Sequence, residues 1–123
     1  METVTHDGRE TAYRPAGDGE GRDAPVLYVH GSGATHRVWA AQYGPDGPVH
    51  PAVAVDLSGH GDSEDVETRP GAETLAAYAR DVTAVARATG AGVLVGTSLG
   101  GAVCLHVVCE TEFDPTALVL AGT

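Results

Sequence analysis

Four short apolar runs, at residues 26–29, 52–55, 93–95 and 117–120, are continuous rather than alternating, and nothing else in these 123 residues narrows the fold so far. A strand with one wet face alternates apolar and polar residues, whereas an unbroken run suits a strand covered on both faces, as in a parallel sheet. Between the second and third runs, Leu75, Tyr78, Ala79, Val82, Val85, Ala86 and Thr89 recur at three and four residues, which predicts a helix with Arg80, Asp81 and Arg87 on its polar side. Gly90 is placed to stop it. A shorter helix over 36–43 follows the first run, and a nearly all-apolar one over 99–109 follows the third. The chain opens on a hairpin-like stretch (3–6, then 11–13), followed by a turn-rich connector over 15–23. Strands each followed by a helix build right-handed βαβ crossovers, so the expectation is one α/β domain over 1–123 with a doubly wound, mostly parallel sheet of about six strands.

Gly96-Thr97-Ser98-Leu99-Gly100-Gly101 lies directly between the third apolar run and the apolar helix. A serine at so sharp a strand-to-helix turn takes a strained backbone conformation, and side chains two residues before or after it would strike the neighbouring strand and helix, hence glycine at 96 and 100. The turn lifts the Ser98 hydroxyl clear of the sheet, and the Leu99 amide at the helix N-terminus points to where an oxyanion would form. This is a G-x-S-x-G nucleophile elbow between the two elements it requires. The glycines of His30-Gly31-Ser32-Gly33, at the end of the first run, allow a backbone to approach a substrate closely.

With these two motifs, and with Asp56-Leu57-Ser58-Gly59-His60-Gly61-Asp62-Ser63 matching a D-x-x-G-x-G-x-S turn after the next strand, nearly the whole chain resembles the α/β-hydrolase superfamily in its esterase, lactonase and C–C hydrolase branch. The resemblance implies Ser98 as the catalytic nucleophile, the amides of Ser32 and Leu99 as the oxyanion hole, and Gly31, Gly33, Gly96 and Gly100 as the glycines that shape it. It implies that His30 braces the oxyanion loop rather than acting as base, and that Asp56, Gly59, Gly61 and Ser63 form the floor of the site. Trp39 is read as core packing. Serine at the elbow speaks against haloalkane dehalogenases and epoxide hydrolases, which carry aspartate there.

The pattern then breaks. In the family the acid and the histidine follow the nucleophile on later loops, and here no histidine follows His106, which sits about 12 Å down the elbow helix at 1.5 Å per residue. His60 is the one histidine worth testing as a substitute base. The expectation is therefore an incomplete α/β-hydrolase fold, the N-terminal portion of a serine hydrolase acting on ester, lactone or related bonds, inactive or weak alone. The alternative is a non-catalytic module that pairs, with a second copy or a partner chain, through the open edge left by its last strand. A nucleotide-binding reading rests only on Gly31-Ser32-Gly33 and Gly17-Asp18-Gly19-Glu20-Gly21, and neither spells a dinucleotide fingerprint or a P-loop.

Charge bounds the partners. Seven arginines, no lysine and 17 acids give a net charge of −10, which repels nucleic acid and fits a small-molecule substrate. A lysine-free acidic surface resembles proteins of salt-rich cytoplasm, where salt at 1 M screens carboxylates over about 3 Å. The acidic start and the lack of an apolar run of about 18 residues predict a cytoplasmic chain without a membrane span. No ligand spacing for a metal and no cofactor motif is present. Cys104 and Cys109 are read as small buried thiols.

Overall fold

The computed structural model describes residues 1–17, 24–43, 50–65 and 73–122. Six strands form one sheet in the order β1-β2-β4-β3-β5-β6: β1 (Glu2–His6), β2 (Arg9–Ala16), β3 (Val26–Val29), β4 (Ala52–Val55), β5 (Val93–Thr97) and β6 (Ala117–Ala121). The four apolar runs, β3 to β6, pair in parallel, and the β1–β2 hairpin joins antiparallel at β4. Asp7 (φ 50) and Gly8 (φ 75) turn the hairpin, with His6 opposite Arg9; both positions need a positive φ, which aspartate tolerates and glycine adopts freely. β2 runs through Pro15 and Ala16, which pair with Val53 and Ala52, so the sheet extends into what was expected to be connector. The remainder of that connector, 18–23, lies outside the described residues.

After β3, a 3-10 turn over His36–Trp39 leads into the single-turn helix α1 (Ala40–Tyr43). The long helix α2 (Glu73–Thr89) ends at Gly90, whose φ of 76 is the left-handed stop anticipated. Helix α3 (Leu99–Glu110) follows β5 at once. Helices α2 and α3 pack together over one sheet face, where Leu27, Val29, Val55, Leu94, Val82, Val85, Val103 and Val107 make the core. Each such side chain, removed wholly from water, contributes roughly 1.5–3 kcal/mol. Cys104 belongs to this core, and burial pushes its thiol pKa up to about 12, so it is inert.

Three expectations need correction. Only β4 is buried at every position; β3 and β5 alternate between buried and partly buried, and β6 is mostly exposed. Among the described residues, the second sheet face carries the short segment after β3, whose Trp39 ring stands 4.9 Å from Tyr28. Cys109 is exposed, because five residues on from Cys104 it has turned away from the core. Asp81, expected on the polar side of α2, is fully buried.

Candidate active site

Strand order places the site. The chain leaves β3 for β4 on one side, then crosses back to β5 and on to β6 on the other, so the loops after β3 and β5 diverge. In open α/β sheets such a divergence opens a crevice at the carboxyl ends of the strands. Ser98 follows β5 there, and the 30–33 loop follows β3.

Ser98 holds φ 54 and ψ −121, a conformation costly for any residue with a side chain, and its side chain is exposed. Its neighbours explain how the turn survives. A Cβ at Gly96 would stand 2.5 Å from the Gly100 carbonyl oxygen, and one at Gly100 would be driven into the carbonyls of Val29 and His30 at the end of β3. The turn thus presses helix α3 onto β3 with no room for a methyl group. A Cβ at Gly31 would lie 3.2 Å from the Ser98 Cβ and 3.7 Å from its Oγ, so the loop after β3 passes directly beside the hydroxyl.

The direction of two amides follows from what holds their carbonyls. The Gly31 carbonyl accepts from His30 Nδ1 at 2.7 Å and from the Ala34 N–H at 3.2 Å. A trans peptide sets N–H opposite C=O, so the Ser32 N–H points away from the His30 ring. The Ser98 carbonyl likewise accepts from Gly101 (3.0 Å) and Ala102 (3.3 Å) inside α3, which aims the Leu99 N–H out of the helix N-terminus.

Beneath the loop, Asp56 is fully buried and binds the His36 backbone N–H (2.7 Å) and Nδ1 (2.9 Å) through one oxygen and the Asp62 N–H (3.1 Å) through the other. Gly61 is required here, because any Cβ would run into this carboxylate. Ser63 donates to the Asp56 carbonyl and accepts from Ala12 N–H (2.7 Å), tying the turn back to β2. His30 is buried, its Nδ1 bonded to Gly31 and its Nε2 accepting from Leu57 N–H at 3.0 Å. Burial, with His60 and His36 nearby, holds the His30 pKa below the usual histidine value against the pull of the Gly31 carbonyl and Asp56. His60 has both nitrogens engaged, Nδ1 with the Ser58 carbonyl (2.9 Å) and Nε2 with Gly33 N–H (3.1 Å), so its lone pair is turned to the loop and not offered to Ser98 as a base.

Sequence reasoning missed one cluster beside this floor. Asp81 Oδ1 binds Arg9 Nη2 (2.8 Å) and Thr11 Oγ1 (3.2 Å) and lies 3.0 Å from His6 Nε2, while Oδ2 accepts from Ser58 N–H (2.9 Å) and Oγ (2.6 Å). Its signal was present: Asp81 stands three residues after Tyr78 and four before Val85, within the apolar stripe of α2. Of the glycine-rich stretch at 17–21, only Gly17 lies among the described residues, and in Gly31-Ser32-Gly33 it is Gly31 that lies against the Ser98 turn. Among the described residues no three His, Cys, Asp or Glu side chains are grouped to hold a metal ion, and no helix is long and apolar enough to cross a membrane.

Comparison with known proteins agrees with this fold. Residues 26–123 match the model of the alpha/beta hydrolase family. Esterase Rv0045c of Mycobacterium tuberculosis is 39% identical over 93 residues, covering 71% of this chain and 29% of the relative. Among solved structures, the N-acyl homoserine lactonase AidH complexed with N-butanoyl homoserine superposes with a TM-score of 0.81 at 28% identity, over 99% of this chain and 44% of that one. A thermophilic esterase gives 0.78 at 30% identity, over 99% and 44% respectively. The chain thus spans under half the length of each relative.

Proposed function

The chain belongs to the alpha/beta hydrolase family, and from that premise we propose that Ser98 is the nucleophile of an esterase- or lactonase-like acyl hydrolase. The supporting observation is the exposed Ser98 side chain on a positive-φ turn, packed at its Cβ against Gly31. In this reading Ser98 Oγ attacks a substrate carbonyl, its proton passes to a base, and the Ser32 and Leu99 amides hold the tetrahedral oxyanion. Collapse of that intermediate expels the alcohol, and water then releases the acyl group. His30, Gly31, Gly33, Gly96 and Gly100 shape the site without entering the chemistry. Similarity to an esterase and to an N-acyl homoserine lactonase supports small acyl esters or lactones as the substrate class. The charge of −10 without lysine supports work in concentrated salt.

No histidine follows His106 in these residues, so the base and acid are assigned to polypeptide outside them, and these 123 residues alone are weak or inactive. The chain is expected to hydrolyse p-nitrophenyl acetate no faster than its Ser98→Ala variant. Fused to the part of the thermophilic esterase that it does not cover, it is expected to be labelled by a fluorophosphonate at Ser98. A cooperative melt of the fusion establishes that it has folded, and undiminished labelling of folded Ser98→Ala would refute the assignment.

One observation favours a second reading, that of a module pairing through its sheet edge. β6 is the outer strand, it carries no charge, and its Val119 and Leu120 are 49% and 40% exposed. An apolar edge without charge or proline is a template for another strand. Light scattering in high salt is expected to show a dimer or larger species under this reading; a monodisperse monomer rules it out.

A further inference from the structure

The 30–33 loop and the 56–63 turn hold one another by an exchange of histidines. His30, at the start of the first, accepts from the Leu57 N–H of the second; His60, in the second, accepts from the Gly33 N–H of the first. In both rings Nδ1 faces a carbonyl, that of Gly31 at 2.7 Å and that of Ser58 at 2.9 Å, so Nδ1 must carry the hydrogen. In both, Nε2 faces a backbone N–H and must be bare. Each ring is therefore the neutral Nδ1–H tautomer, and the two rings stand 4.9 Å apart by centroid.

We propose that His30 and His60 are positioning residues forming a proton-sensitive clasp, which holds the loop bearing the Ser32 amide in place only while both rings are neutral. The proposal deepens the hydrolase reading and rests on it for the role of that amide. A proton added at Nε2 sets N–H against N–H, converting an attraction into a clash, and a second proton would place two cations in tilted rings 4.9 Å apart, one of them buried. The surrounding groups do not undo this. Asp56 is committed to His36 and Asp62; Tyr78 of α2 meets His60 edge-on at 6.1 Å; Asp65 lies against Gly59; and Asp81 is taken by Arg9 and Ser58. None of these carboxylates makes a hydrogen bond to either ring among the described contacts. The burial that disfavours charge on His30 acts in the same direction.

The test is nuclear magnetic resonance on the intact chain from pH 8 to pH 5, following the ring nitrogens of both histidines and the exchange protection of the Gly33 and Leu57 amides, corrected for the intrinsic pH dependence. Both amides are expected to be protected at pH 8, and Gly33 protection to fall at least tenfold by pH 5. In His60→Gln the side-chain oxygen replaces Nε2 as acceptor and does not titrate, so Gly33 should stay protected down to pH 5. His60→Ala should leave Gly33 unprotected throughout. Protection of Gly33 that ignores pH in the natural chain, or that falls equally in His60→Gln, overturns the clasp. No turnover enters this measurement, so failure of Ser98 labelling with the pH response intact would sink the hydrolase reading alone.

Discussion

Gly100→Ala is expected to destabilise this chain by about 3 kcal/mol or more, well beyond the cost of an alanine at any glycine with free space around it. The added methyl group would be driven into the Val29 and His30 carbonyls, which are backbone atoms at the end of a central strand and have no rotamer through which to yield. Relief requires lifting α3 from β3, and that separates the fully buried Val103 and Val107 from Leu27 and Val29. Overpacking a well-filled core typically costs about 1–3 kcal/mol and more where only backbone can move, against a total stability of about 5–15 kcal/mol for an ordinary domain. Gly90→Ala separates this cause from backbone strain. Gly90 has φ 76 but nothing within 4 Å of a Cβ, so its substitution carries only the left-handed penalty of roughly 1–2 kcal/mol. Urea and thermal melts by circular dichroism decide the matter: Gly90→Ala should melt a few degrees early, and Gly100→Ala much earlier still. A Gly100→Ala variant as stable as Gly90→Ala would mean that the elbow is not the close contact described.

That contact also shows why the centre of the fold was legible in the sequence. The glycines at 96 and 100 leave a trace because no residue with a side chain allows the approach, whereas the Asp7-Gly8 pair marks the hairpin turn because both positions take a positive φ. The unbroken apolar runs gave the parallel strands, but could not tell which would find a partner on both faces. The run at 117–120 reads as buried, yet β6 stands at an edge with only Leu118 against the core. Apolar patterning reports what a residue tolerates, and burial depends on which elements arrive to cover it. His60 was singled out as a substitute base from its type and place in the chain. Only coordinates show its Nε2 committed to Gly33 across 27 residues of sequence. Pairings of that kind join two loops whose separation the sequence does not encode locally.

Asp81 illustrates the same limit with the larger energetic consequence. Asp81→Asn is expected to destabilise the chain by about 3–5 kcal/mol, the cost of removing one partner from a buried ion pair and leaving the other uncompensated. Arg9 is only 7% exposed and Asp81 fully buried, so water cannot replace the lost carboxylate, and an asparagine amide would set donors against Ser58 N–H or the guanidinium. The variant Arg9→Met/Asp81→Leu removes both charges and should cost less than Asp81→Asn alone, despite leaving the Ser58 amide without an acceptor at about 1–3 kcal/mol. Chemical denaturation of Arg9→Met, Asp81→Leu and the double Arg9→Met/Asp81→Leu closes the cycle. A coupling below roughly 0.5 kcal/mol would show that the pair is not acting as a unit. The location gives the cycle a second meaning. Asp81 gathers His6 and Arg9 from the hairpin and Ser58 from the turn after β4, and the Ser58 carbonyl is the acceptor for His60. Loosening Asp81 therefore frees the backbone that orients His60, so Asp81→Asn should lower Gly33 amide protection at pH 8 as well as stability, whereas the distant Gly90→Ala should lower stability alone.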